Sequence, residues 1–178
     1  NDHNLAAPLM SPLPASRFPQ AAPSRRFPGE FRPHRATWIA WPHHEPDWPG
    51  KFATIPWVYA EIVRALHGHE TVEVLCHDER VREEAERLLR AHDVDLGRVR
   101  LHLVPTDRVW TRDSGPTAIH HADGSVSWVG WHFNAWAKYD NYDRDAKVAD
   151  TMARLSGLPI EHATRPDTGA PLVLEGGG

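Results

Sequence analysis

Cysteine is almost absent from this sequence: Cys76 is the only one in 178 residues. A single cysteine excludes an internal disulfide framework and fits a reducing compartment. Long apolar runs are absent too. None approaches the ~20 residues needed to span a bilayer, so no membrane partner is expected. The first residues lack the apolar core of a signal peptide, and the expected location is cytoplasmic. Charge of one sign does not dominate, with 24 acidic against 20 basic residues. The basic residues are scattered rather than clustered, which argues against a nucleic-acid surface. Metal-ligand spacing is also lacking. His43, His44, Glu45 and Asp47 sit in one loop with Pro46, Pro49 and Gly50. Adjacent loop side chains rarely converge on an ion, and no second ligand pair follows at a recognised spacing. No metal and no cofactor are expected.

What the chain does have is proline, tryptophan and histidine. Seven prolines (Pro8, Pro12, Pro14, Pro19, Pro23, Pro28, Pro33) occupy residues 1–33. Each fixes φ and removes a donor, so this stretch reads as an extended arm. Residues 34–178 carry the periodic patterns of an α/β fold. Ala36–Pro42 reads as a short buried strand. Thr54 and Pro56 open a helix with Val58, Ile62, Ala65 and Leu66 as its apolar face, ended near Gly68. Thr71–Cys76 reads as a strand. Asp78 caps a second helix facing inward through Val81, Ala85, Leu88 and Leu89. Arg98–Val104 is the next strand. Thr117–His121 and Ser125–Trp131 flank Ala122-Asp123-Gly124, a hairpin signal; His120 and His121 lie in it, and only one is expected to face the core. Val148, Met152 and Leu155 mark a last helix ended by Gly157, followed by strands near Leu158–His162 and Leu172–Glu175. A ββαβ unit used more than once describes this economically. Of eight tryptophans, several are expected in the core.

Between two of these strands stands Val109-Trp110-Thr111-Arg112-Asp113-Ser114-Gly115-Pro116. Its place is a loop at a strand end, where α/β folds often put chemistry. It offers an aromatic face, a fixed cation and a carboxylate. A carboxylate beside an aromatic wall can bind a planar cation: two N–H groups fork onto the oxygens while the ring stacks on its face. A structural Arg-Asp pair capping the turn is the alternative reading of the same residues. Arg112 is expected to orient Asp113 or a neighbouring loop rather than touch a cationic substrate, since like charges repel.

Trp110–Pro116 resembles the W-x-R-D-x-G-P pattern of agmatine deiminases and the related bacterial peptidylarginine deiminases. Arg35–Pro42, Phe133-Asn134-Ala135-Trp136 and Leu174-Glu175-Gly176-Gly177 resemble further segments of that family, in the same order. The resemblance implies a pentein-type propeller of five ββαβ modules, of which this chain would supply about the first half, truncated at Gly178. It implies hydrolysis of a guanidinium group to a ureido group and ammonia, with agmatine converted to N-carbamoylputrescine as the favoured reaction. In that chemistry a cysteine thiolate attacks the central carbon and water opens the amidino intermediate. By the resemblance Asp113 is one of two guanidinium-holding carboxylates, Glu175 is the active-site Glu and Trp110 is the pocket wall. The family's nucleophilic cysteine, proton-shuttling histidine and second aspartate belong to the C-terminal half. Cys76 ends an early strand, matches no family motif and is expected to be structural. The implied partners are a small guanidinium substrate and the C-terminal half of the propeller, with self-association left open. Rivals are peptidylarginine as substrate, a non-catalytic truncated propeller that binds a guanidinium ligand or a protein, and a Trp-rich carbohydrate module. The last would need tryptophans in one exposed row, and their spread argues against it.

Overall fold

The computed structural model describes residues 24–173. Two sheets organise them. The first is parallel and three-stranded, in the order β2 (Ala36–Ala40), β3 (Thr71–Cys76), β4 (Val99–Leu103). Parallel strands need crossovers, and these are α1 (Ile55–Leu66) and α2 (Glu79–Ala91). The second sheet runs β1 (Arg25–Arg26), β5 (Thr117–His121), β6 (Val126–Gly130), β7 (Ile160–His162). There β5 and β6 form the antiparallel hairpin, α4 (Val148–Ser156) crosses over, and β7 joins parallel to β6. This is one complete ββαβ unit. The first sheet is βαβαβ instead, so the unit is not repeated among the described residues.

Both faces of the first sheet are covered, which explains why β3 is buried along nearly its whole length. On one face Trp41, Val72, Val74, Cys76 and Val99 pack against Ala60 and Val63 of α1 and Val81, Ala85 and Leu89 of α2. On the other, Ala40, Leu75, Val104 and Val109 meet Val148 and Met152 of α4. The one charged residue within β3, Glu73, is buried on this second face. It accepts from Arg100 Nη1 at 2.9 Å and His102 Nε2 at 2.6 Å, which satisfies the carboxylate that burial would otherwise penalise.

Helix α2 follows the sequence closely. The Asp78 side chain accepts from Val81 N at 2.8 Å, and Val81, Ala85 and Leu89 point inward. Helix α1 does not. Val58, Ile62 and Ala65 are exposed, and the buried face is Pro56, Ala60 and Val63. Thr54 does not cap it through its side chain but bonds Lys51 O and closes a preceding 3-10 turn (Phe52–Thr54). The helix ends at Leu66, before Gly68. The hairpin turn forms as read, with Gly124 at φ 85° and Asp123 Oδ1 accepting from Ser125 N. Neither His120 nor His121 is fully buried. Among the tryptophans only Trp41 is fully buried, while Trp57 and Trp110 stand exposed. Leu172 adds no regular strand; it bonds Ala163 O and His132 N as extended chain.

Candidate functional site

The carboxyl ends of β2, β3 and β4 open on one edge of the first sheet, and the site is built there. His43 follows β2 and His77 follows β3. Their rings stack at 4.4 Å, and both bond the Thr106 carbonyl beyond β4, at 2.9 and 2.7 Å. Arg144 Nη1 lies 3.3 Å from His77 Nε2, so that nitrogen is the acceptor and Nδ1–H donates to Thr106. Burial pulls the His43 pKa down, opposed by its bonds to the carbonyls of Trp41 and Thr106. The two histidines therefore staple three strand ends and fix the start of the segment 104–110. Asp145 fixes its middle. It is buried and accepts from Asp107 N at 2.7 Å and Arg108 N at 3.1 Å; burial pushes its pKa up to about 6 despite those bonds.

The segment then turns into α3 (Thr111–Ser114), a single helical turn where the sequence suggested a loop. Trp110 stands at its N-cap and accepts from Asp113 N and Ser114 N, both at 3.1 Å. Thr111 Oγ1 ties the turn to Trp38 O of β2 at 3.3 Å. Gly115 is dictated by contact: a Cβ there would lie 2.5 Å from Thr111 O and 3.3 Å from Met152 Sδ. This tight end sets Trp110 and Asp113 one turn apart, on neighbouring positions of the helix surface.

Trp110 is 41% exposed and lies 5.7 Å from Trp48, ring to ring. Asp113 is half-buried, and its Oδ1 accepts from Trp136 Nε1 at 3.2 Å. Trp136 packs edge-on against Phe133 (5.3 Å) and Tyr139 (6.1 Å). Arg108 lies over the Tyr139 ring at 3.9 Å, bonds Asn141, and reaches Asp47 at 3.4 Å. Asp47 adjoins Trp48 in the chain, so the contacts close a circuit around the site. Arg112 Nη1 pairs with Glu30 Oε1 at 2.6 Å, on the segment leading into β2, a contact of the loop-orienting kind expected of it.

Sequence reasoning found Trp110 and Asp113, and the structure places both in this circuit. Glu175 and the strand assigned to Leu174 and Glu175 lie outside the described residues. Trp48 and the Asp47–Arg108 pair were missed, because contacts so distant in sequence leave no local pattern. Trp136 carried a signal, its place in the Phe133–Trp136 segment, but no role. Cys76 is fully buried with its thiol pushed up to about 12 by desolvation, and it belongs to the core between sheet and helices.

Fold and site together define an α/β assembly that presents a carboxylate and clustered aromatic rings at the carboxyl edge of a parallel sheet. Residues 26–178 match the family model of the Porphyromonas-type peptidyl-arginine deiminases, and the chain belongs to that family. It is 33% identical over 156 residues to the agmatine deiminase of Stutzerimonas stutzeri (strain A1501), covering 84% of this chain and 39% of that protein. It is 31% identical over 157 residues to the agmatine deiminase of Pseudomonas aeruginosa (strain LESB58), covering 85% and 39%. The solved agmatine deiminase of Enterococcus faecalis superposes with a TM-score of 0.68 at 22% identity, over 79% of this chain and 38% of that one. The fold is thus that of part of the pentein propeller. The chain spans about two fifths of the length of the relatives it matches.

Proposed function

We propose that this chain supplies one wall of the substrate pocket of an agmatine deiminase-type amidine hydrolase, which converts a guanidinium group to a ureido group with release of ammonia. The observation that carries the reading is Asp113. Its half-buried carboxylate, bonded by the neutral indole N–H of Trp136 and set one turn from the exposed face of Trp110, is suited to a flat cation. The carboxylate accepts guanidinium N–H groups in charge-assisted hydrogen bonds, and the indole face of Trp110 stacks on the cation. By the family resemblance Glu175 is the assisting active-site Glu, and the second guanidinium-holding aspartate comes from the C-terminal half. The reaction also needs a nucleophile, and Cys76 is unsuited to that role: its thiol is enclosed by the core and resists ionisation. In this reading the attacking cysteine comes from the C-terminal half of the propeller, which completes the pocket. The thiolate displaces ammonia from the guanidinium carbon, and water then releases the ureido product and restores the thiol. The site belongs to a cytoplasmic enzyme that feeds polyamine synthesis through putrescine.

Agmatine is the favoured substrate because the curated relatives quoted above are agmatine deiminases. The description of the family model supports peptidylarginine as the second reading. The test is the Asp113→Asn variant of the complete enzyme. Losing a charge-assisted contact of roughly 1.5–3 kcal/mol should lower kcat/KM for agmatine by ten-fold or more, with the melting curve kept. Wild-type product formation by that variant contradicts the assignment. Faster turnover of an arginine-containing peptide than of agmatine by the wild-type enzyme moves the reading to the second substrate.

A further inference from the structure

The segment between β6 and α4 contains an unusual backbone. Ala135, Trp136 and Ala137 have φ of 51°, 58° and 53°, three successive left-handed residues without a glycine. L-residues visit this region rarely, and a run of them persists only where the surroundings over-determine it. Here they do. Ala135 is fully buried, and Ala137 N and Lys138 N bond Asn134 O and Ala135 O, both at 3.0 Å. The product of the turn is the placement of one side chain. The Trp136 indole is held edge-on between Phe133 and Tyr139, and Arg108 lies on the Tyr139 ring. Its N–H reaches Asp113 Oδ1 at 3.2 Å, across 23 residues of sequence.

We propose that Trp136 is a positioning residue for Asp113, and that the left-handed turn Ala135–Ala137 serves to aim its N–H. The inference rests on the reading of Asp113 as the guanidinium-holding carboxylate. The chemistry favours an indole in this place. A carboxylate that must bind a cation needs a fixed orientation without losing its charge. A lysine or arginine on Asp113 would fix it but would also neutralise it and repel the substrate. An indole is a neutral donor with no acceptor, so it orients one oxygen and leaves the negative charge in place.

The test is Trp136→Phe in the complete enzyme, which keeps an aromatic ring in the cage and removes the N–H donor with part of the ring volume. With the ring retained, the melting temperature should stay within a few degrees of wild type. Asp113 keeps its charge, so KM for agmatine should change by no more than about three-fold. The carboxylate is no longer held in the productive orientation, so kcat should fall roughly ten- to a hundred-fold. A merely structural Trp136 would lower stability and leave this split unmoved. Asp113→Asn serves as the parallel arm. If Asp113→Asn is impaired while Trp136→Phe keeps wild-type kcat, the inference is overturned and the reading of Asp113 stands. If Asp113→Asn itself turns over normally, that reading fails, and the inference fails with it.

Discussion

At the scale of single residues, two titratable groups are committed to packing rather than chemistry. Cys76 lies under α1 and α2, where a thiol behaves as a small hydrophobe. Cys76→Ala in the complete enzyme should leave kcat/KM unchanged and cost about 1–2 kcal/mol of stability from the small cavity it leaves. Lost turnover with an unchanged melting curve would make Cys76 the nucleophile and end the present assignment. Asp145 makes a pH-dependent contribution. Its folded pKa, about 6, lies above the ordinary value of 3.8 because burial disfavours the charged form. A raised acid is more readily protonated in the folded state, so its contribution is fully present below about pH 4. It is lost as pH rises through 6, a change on the order of 3 kcal/mol. The stability of wild type relative to Asp145→Asn should therefore decline between pH 4 and 6.5. A difference that is flat across that window would show that Asp145 ionises normally.

At the scale of elements, legibility followed how far a segment's neighbours were local. Helix α2 could be read because its outer face is charged and its apolar residues form one stripe. Helix α1 could not. Apolar residues occupy two overlapping stripes, Val58-Ile62-Ala65 and Pro56-Ala60-Val63, and periodicity has no means of choosing between them. The sheet chooses: β3 and β4 present Val72, Val74 and Val99 to Ala60 and Val63, whose small size lets the helix approach closely. The site shows the same division. Trp110 and Asp113 were legible as a contiguous motif, but the indole that holds Asp113 arrives from 23 residues away on a backbone that no propensity favours. That turn carries its own prediction. Ala137 is exposed at φ 53°, where glycine has no Cβ penalty. Ala137→Gly should raise stability by about 1 kcal/mol, read as a higher denaturation midpoint at unchanged slope. A destabilised variant would mean that the Ala137 methyl makes contacts that outweigh the strain.

At the scale of the whole molecule, the described residues leave sheet edges and apolar side chains uncovered. Among them β2 and β4 are both edges of the first sheet, and Leu103 on β4 is exposed, as are Trp57, Val58 and Ile62 on α1. Trp110 stands partly in solvent, where a carboxylate–guanidinium pair beside it is screened and worth little. In the proposed reading, completing the ring dries the pocket and brings the attacking thiolate, a role that the buried Cys76 does not fit. The account therefore turns on whether these 178 residues act as part of a pocket or as a whole one. The direct measurement is ammonia release from agmatine by the isolated chain, with mass spectrometry confirming that no other polypeptide is present, and again after the C-terminal half of the propeller is added. The account predicts no turnover from the isolated chain, and ammonia release together with a sharp melting transition once the second half is present. Robust turnover by the isolated chain would contradict it and return the search for a nucleophile to Cys76.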